Sequence, residues 1–347
     1  MRGTDGRPFE PGENEAPAWA RPLLWVGGAA FAAGAGIRKA AYDAGLLAAR
    51  RAPVKVISVG NLAVGGTGKT PFTILLLARL VAAGHRPAVV TRGYGAQGGP
   101  RPLVVARGTT AAEAGDEPVL LFRRAREAMV IVDPDRVRGA AHAASLGATV
   151  VVLDDGFSHR RLARDLDVVL LDAFRPFGAL LPRGPLREPP SALARADLVV
   201  LNQGASDAPP PAPPLPCPVV RVRVVPKGVG PLAGPLEDPS ALAGVQVGLL
   251  SAIARPRRLL ASVQALGAAV VHAEARPDHA PLDDAAVETF AAVARAAGAQ
   301  RLITTEKDAV RMSEVARARV EVLRVGHRVI EGEEHLAAAL ARVGGPP

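Results

Sequence analysis

Short runs of β-branched and other apolar residues recur along the first two thirds of the chain, at 54–60, 87–91, 128–132, 149–153, 167–171 and 197–201. Between them, apolar positions fall at helical spacing. Short buried runs alternating with helices predict βαβ units and a mostly parallel sheet with helices on both faces. Residues 208–218 (Ala-Pro-Pro-Pro-Ala-Pro-Pro-Leu-Pro-Cys-Pro) are excluded from a helix or a central strand and read as a semi-rigid linker or long surface loop. Strand-like runs return at 219–225, 245–250, 268–272, 301–304 and 320–325. The pattern therefore predicts an α/β domain over 51–207 and a second, smaller α/β domain over 219–345.

The first run leads into the most telling stretch of the chain. Val56-Ile57-Ser58-Val59-Gly60-Asn61-Leu62 is followed by Ala63-Val64-Gly65-Gly66-Thr67-Gly68-Lys69-Thr70 and then by a helical pattern. A strand, a glycine-rich turn and Gly-Lys-Thr at a helix start form a P-loop NTPase-like phosphate-binding loop. Glycines let backbone N–H groups crowd around phosphate oxygens, and the helix N-terminus adds partial positive charge. Lys69 is placed to reach the β- and γ-phosphates, and Thr70 to offer its hydroxyl to Mg²⁺. The first position of the usual pattern is glycine; here it is Ala63.

Composition narrows the picture. With 347 residues the chain is long enough for two cores, and 49% apolar with only 3% aromatic content suits buried parallel strands built from Ala, Val and Leu. One cysteine, Cys217, rules out an intrachain disulfide framework and a Cys-based zinc site within one chain. The net charge of +9 comes mostly from Arg and favours anionic partners: a nucleotide, a phosphorylated substrate or an anionic membrane. Few aromatics argue against single-stranded nucleic acid, and nothing calls for an obligate protein partner. Residues 1–21 are polar and read as disordered. The apolar stretch 23–37, with Trp25 and basic flanks at Arg38, Lys39, Arg50, Arg51 and Lys55, is shorter than the roughly 20 residues a spanning helix needs. Segment 22–50 reads as an amphipathic, membrane-associated stretch, with a helix packed on the domain as the competing reading.

Several strand ends carry candidate chemistry. The run Val150-Val151-Val152-Leu153 ends in Asp154-Asp155-Gly156, where phosphate-loop enzymes keep a Mg²⁺-holding carboxylate; a helix cap is the structural alternative. Thr91-Arg92-Gly93-Tyr94-Gly95 follows another strand, where open α/β sheets bind ligands. Asp116 of Gly115-Asp116-Glu117-Pro118 is either a proton acceptor or a helix cap. His159, the two-Arg loop 180–189 and Pro277-Asp278-His279 are further candidates. Thr304-Thr305-Glu306-Lys307-Asp308 ends a strand in a way superficially like a guanine-reading motif, but Lys307 is directly next to Asp308, so that spacing is wrong.

Together these segments resemble the tetraacyldisaccharide 4′-kinase family, which acts in lipid A biosynthesis. The resemblance covers about 21–342 and runs in the family's order: Val-Ile-Ser-Val-Gly-Asn and Val-Gly-Gly-Thr-Gly-Lys-Thr-Pro (56–61, 64–71), Thr-Arg-Gly-Tyr-Gly (91–95), Gly-Asp-Glu-Pro (115–118), Asp-Asp-Gly-Phe-Ser-His (154–159), Leu-Leu-Pro-Arg-Gly-Pro-Leu-Arg-Glu-Pro (180–189), Ala-Ile-Ala-Arg-Pro (252–256), Pro-Asp-His (277–279) and Thr-Glu-Lys-Asp-Ala-Val (305–310). The family's loop also lacks the first glycine. The resemblance implies transfer of the ATP γ-phosphoryl to the 4′-hydroxyl of an acylated glucosamine disaccharide 1-phosphate, with Mg²⁺, at the cytoplasmic face of the inner membrane. It implies a catalytic Asp116 assisted by His279 of the second domain, with closure over the nucleotide assembling the site. Lys69 falls on the family's phosphate-loop lysine and Thr70, Asp154 and Asp155 on its metal-side residues. Arg92, Tyr94, Glu117, His159, Arg187 and Glu188 are expected on the substrate side. Two positions depart from the family: Ser158 stands where Gln is usual, and Ala280 where a second His is usual. The rival readings are an ATP- or GTP-hydrolysing switch without a lipid acceptor and a kinase for a soluble substrate.

Overall fold

The computed structural model describes Gly36, Ala41, Tyr42 and residues 44–345. The predicted disordered start at 1–21 and most of the predicted interfacial segment 22–50, Trp25 included, lie outside the described residues. Among the described residues no helix is long and apolar enough to cross a membrane.

The described chain divides into two compact units, one formed by 224–326 and the other by the residues up to 223 together with 327–345. The division falls inside strand β8 (Val219–Gly230) and not in the proline-rich 208–218 stretch. Val219–Val222 pair in parallel with Val199–Asn202, which binds the start of β8 to the larger unit. The residues after 326 belong with the larger unit too, whereas the apolar pattern had assigned them to the smaller one.

In the larger unit, β1 (Lys55–Asn61), β2 (Pro87–Thr91), β3 (Leu103–Val104), β4 (Met129–Val132), β5 (Val150–Asp154), β6 (Leu166–Asp172) and β7 (Leu198–Asn202) stand in the order β7-β6-β1-β5-β2-β4-β3. All pairings are parallel except β3 with β4. The strands were expected from their apolar runs, apart from the two-residue β3. Connections from β1 through β2, β4 and β5 run to one side of β1, and those through β6 and β7 to the other. This reversal beside β1 is where open α/β sheets form a crevice at the C-terminal strand ends.

Period-two alternation divides the buried side chains between two faces. Val56, Ala88, Val90, Ile131, Val151 and Leu153 pack with Ala140 and Ala143 of the helix Arg136–Ser145. Val169, Leu171, Val199 and Leu201 pack with Leu62, Phe157, Leu186 and Leu193. The helix Lys69–Ala82 buries Phe72, Leu76, Leu77 and Leu80 at the i, i+4, i+5, i+8 spacing of one apolar face.

In the smaller unit β9 (Gln246–Ser251), β10 (Ala269–Ala275), β11 (Arg301–Thr305) and the first part of β12 (Glu321–Glu331), up to Gly326, run parallel in the order β10-β9-β11-β12. Val287, Phe290, Ala291 and Ala294 of the helix Asp284–Ala296 supply much of its core.

Candidate active site

The C-terminal ends of β1, β2, β5 and β7 carry the polar residues of the site. After β1 the chain turns through 62–68 and enters the helix at Lys69. Gly68 is held at φ 91°, and a Cβ built on it would sit 2.3 Å from Asn202 Nδ2. Backbone conformation and space both demand glycine there. Asn61 Nδ2 donates to Thr67 Oγ1 at 2.9 Å, and Asn202 Nδ2 donates to the Thr67 carbonyl at 2.9 Å. The ends of β1 and β7 thus fix the loop from below. Ala63, Val64, Gly65 and Gly66 form its outer part, with Val64, Gly65 and Gly66 exposed.

The two-Arg loop holds the other side of the turn. Val64 N donates to the Pro185 carbonyl at 2.8 Å and Arg187 N to the Leu62 carbonyl at 2.7 Å, an antiparallel bridge between Ala63 and Leu186. Arg187 reaches both oxygens of Asp155, at 2.8 and 2.9 Å, and donates to Asn61 Oδ1 at 2.6 Å. Lys69 Nζ lies 3.5 Å from Asp155 Oδ1. Burial opposes ionisation of Asp155, but the Arg187 hydrogen bonds and the charges of Lys69 and Arg187 outweigh it and hold the carboxyl at about 2. Asp155 adopts φ 54°, a left-handed conformation that non-glycine residues rarely take without a functional constraint.

Asp154 has the opposite environment. It is buried, and burial together with the Glu117 charge pushes its carboxyl up to about 7 against the pull of Lys69 and Arg136. Thr91 Oγ1 donates to Oδ2 at 3.4 Å, whereas the buried Oδ1 has no hydrogen-bond partner among the described residues. A buried carboxylate oxygen left in that state fits a cation. Among the described residues no three His, Cys, Asp or Glu side chains group to hold a metal by themselves. Mg²⁺ needs no such cage, because it is usually bound by one or two carboxylates, water and substrate phosphates.

The Arg92 turn and the Asp116 helix meet through two glycines. A Cβ on Gly93 (φ 70°) would lie 2.9 Å from the Ala114 carbonyl, and one on Gly115 (φ 93°) would lie 2.6 Å from the Tyr94 carbonyl. This close approach starts the helix Asp116–Arg124 beside the 91–95 turn, with Asp116 buried and its Oδ1 accepting from Glu117 N at 2.9 Å. Arg92 and Tyr94 are exposed, and His159 is half-buried.

Glu188, expected on the substrate side, is engaged within the protein. Its oxygens accept from Ser158 Oγ at 2.6 Å and Arg195 Nη2 at 2.7 Å, tying the two-Arg loop to the Asp-Asp-Gly turn. Ser158, the departure from the usual Gln, is therefore engaged. Sequence reasoning missed Arg136, Asn61 and Asn202. Arg136 is buried and donates to the backbone carbonyls of Asp133 at 3.0 Å and Asp154 at 3.2 Å. The two asparagines end apolar strands, the same signal that picked out Asp154.

In the smaller unit, His279 adopts φ 62° and lies 3.8 Å from Asp278. A separate cavity of about 380 Å³ at the N-terminal strand ends of the larger unit is lined by Arg51, Lys55, His85 and Asp165. Lys55 is paired with Asp165 at 2.8 Å and His85 is bonded to Gly344, so it is a structural joint away from this chemistry.

A parallel sheet whose first strand feeds a glycine loop and Lys-Thr helix, with paired carboxylates on the neighbouring strand, defines a phosphate-loop nucleotide-binding kinase fold. The comparisons carry this to a particular family. The model of the tetraacyldisaccharide-1-P 4′-kinase family (LpxK) matches residues 20–344. A tetraacyldisaccharide 4′-kinase of Anaeromyxobacter dehalogenans (strain 2CP-C) is 46% identical over 92% of this chain and 89% of its own. One from Vibrio cholerae is 38% identical over 85% of this chain and 84% of its own. The crystal structure of the "apo" form of LpxK from Aquifex aeolicus in complex with ATP superposes with a TM-score of 0.75, at 27% identity, covering 94% of this chain and 98% of that one. The chain belongs to the tetraacyldisaccharide 4′-kinase family.

Proposed function

We propose that the protein transfers the γ-phosphoryl group of ATP to the 4′-hydroxyl of a tetraacylated glucosamine disaccharide 1-phosphate, giving lipid IVA. The observation that carries this is the meeting of Lys69, Asp154 and Asp155 at the phosphate-loop end of the sheet in a chain of this family. The backbone of 63–68 with Lys69 cradles the triphosphate, and the start of the Lys69 helix adds its dipole. Thr70 and Asp154 would hold Mg²⁺, which neutralises phosphate charge when bound. Asp154 suits that role better than Asp155, because Arg187 occupies both oxygens of Asp155. Asp155 in turn orients Lys69 and Arg187 toward the phosphates.

Phosphoryl transfer has a loose transition state, so positioning and charge neutralisation carry most of the acceleration. A sugar hydroxyl is a weak acid, and its proton leaves late, to Asp116. By the family resemblance His279 takes part in the same transfer, and Arg92, Tyr94, Glu117 and His159 contact the acceptor. Asp116→Asn should lower kcat by about 10²- to 10⁴-fold with ATP affinity retained. Unchanged turnover in Asp116→Asn would remove the base from the mechanism.

A tetraacylated acceptor stays in a bilayer, and the cytoplasmic face of the inner membrane is where such a lipid meets ATP. A surface loop of the larger unit supports peripheral binding there. Phe174 and Phe177 are exposed, flank the exposed Arg175, and follow β6 at the C-terminal edge of the sheet. Asp172 Oδ1 accepts from the N–H groups of Phe174 (2.9 Å) and Arg175 (3.3 Å), which shapes this loop. Exposed aromatics beside cations suit an anionic headgroup layer.

A further inference from the structure

The motif Thr-Glu-Lys-Asp-Ala-Val (305–310) has no part in the chemistry so far. Thr305 accepts from Asp308 N at 3.0 Å, which caps the short helix Glu306–Ala309. The cap is complete without the Asp308 side chain. Yet Asp308 is fully buried, a placement that burial itself opposes by raising its carboxyl above the ordinary value, with Thr305 and Arg311 pulling it back. A buried carboxylate is costly unless every oxygen is engaged.

Its partners lie on other segments. Oδ2 accepts from Thr305 Oγ1 at 2.7 Å and from Ala252 N at 3.2 Å, and Oδ1 pairs with Arg311. Arg311 donates onward to the Ala252 carbonyl at 3.1 Å and to the Ala280 carbonyl at 3.3 Å. The Ala252 carbonyl also accepts from His279 N, at 3.2 Å. One ion pair therefore grips the segment after β9 at Ala252 and the turn after β10 on both sides of the peptide units that carry His279. That turn needs gripping, because His279 sits at φ 62° without glycine's freedom. Such a conformation persists only where the surroundings over-determine it.

We infer that Asp308 and Arg311 are positioning residues that hold His279 in its left-handed conformation for phosphoryl transfer. The inference rests on the proposed part of His279 in phosphoryl transfer. It gives the 305–310 motif a purpose other than nucleotide-base recognition. It also fits Ala280 here, since what the clamp uses at that position is the backbone carbonyl, not a side chain.

The test is a double-mutant cycle on the full chain in detergent micelles with ATP, Mg²⁺ and tetraacyldisaccharide 1-phosphate. Arg311→Met should lower kcat roughly 10- to 100-fold, the usual range for losing a supporting contact, with KM for ATP within about twofold. Arg311→Lys should recover part of the loss. In a His279→Ala background, Arg311→Met should cost less than about twofold, because the group it positions is gone. Thr305→Val removes the hydrogen bond to Asp308 Oδ2 and the cap that Thr305 Oγ1 accepts from Asp308 N, and leaves the ion pair; it should show the same non-additivity at smaller amplitude, and it carries the test if Arg311→Met does not fold. An Arg311→Met loss of equal size with and without His279, or a rise in KM for ATP matching the fall in kcat/KM, would overturn the clamp as a positioning device. Wild-type turnover in His279→Ala would instead defeat the reading of His279 itself.

Discussion

Replacing Arg187 by Met removes the guanidinium that joins the phosphate loop to the strand-end carboxylates while keeping most of the side-chain volume. Two losses follow. The first is electrostatic. Asp155 is held at about 2 against an ordinary 3.8, so its charged form favours the folded state. At face value that difference is worth about 2 kcal/mol, and Arg187 supplies the larger share of the attraction. The Asp155 side chain is 38% exposed, so solvent screening reduces the share to about 1 kcal/mol. The second loss is at Asn61, whose buried Oδ1 accepts from Arg187 at 2.6 Å. Stranding that acceptor costs about 1–2 kcal/mol. Together the variant should lose about 2–3 kcal/mol at pH 7 in urea unfolding. The two parts separate by pH. A carboxyl with a lowered folded-state value contributes stability above its unfolded value and loses it as pH falls through the folded one. The difference between wild type and Arg187→Met should therefore hold steady down to about pH 4 and shrink toward the Asn61 part as pH falls toward 2. A difference that stays constant from pH 6 to pH 2.5, or no destabilisation at pH 7, would refute the assignment of Arg187 as the charge that fixes Asp155.

Other substitutions probe other parts of the account. Gly68→Ala places a methyl 2.3 Å from Asn202 Nδ2 at φ 91°; it should cost about 1–3 kcal/mol of stability and abolish ATP binding in calorimetry. Asp154→Asn should remove turnover while making the protein more stable at pH 8, by about 2 kcal/mol or more, because a carboxyl raised to about 7 contributes its stability at low pH and loses it as pH rises through 7. A less stable Asp154→Asn at pH 8 would contradict the burial argument. Phe174→Ser with Phe177→Ser should weaken binding to phosphatidylglycerol vesicles about tenfold in co-sedimentation, with Val315→Ser, exposed elsewhere, as the unchanged control.

The strands were readable because each buried parallel strand is a continuous apolar run, and such runs stand out between amphipathic helices. What escaped depends on partners distant in sequence. Strand β3 is two residues long and exists only through pairing with β4. Strand β8 runs on through Pro226 to Gly230, past the end of its apolar run, and 327–345 join the larger unit although they follow the smaller one in sequence. The site divides in the same way. Lys69, Thr70, Asp154 and Asp155 sit in local motifs whose chemistry is visible in the residue order. Arg136 reads as an ordinary helix-start arginine, and only the approach of the β5 end shows that it supports the Asp154 backbone. Glu188 was expected on the substrate side from the family resemblance alone; its hydrogen bonds to Ser158 and Arg195, 30 and 7 residues away, could not be read from the residue order.

The central claim is phosphoryl transfer to a lipid acceptor, and its most direct test is a label-transfer assay. Wild type and Lys69→Ala are each incubated with γ-labelled ATP, Mg²⁺ and tetraacyldisaccharide 1-phosphate in detergent micelles. The account predicts a labelled lipid product formed by the wild type and absent with Lys69→Ala. Acceptor-independent release of labelled phosphate with no labelled lipid would contradict it and leave the chain a hydrolytic switch on a kinase fold.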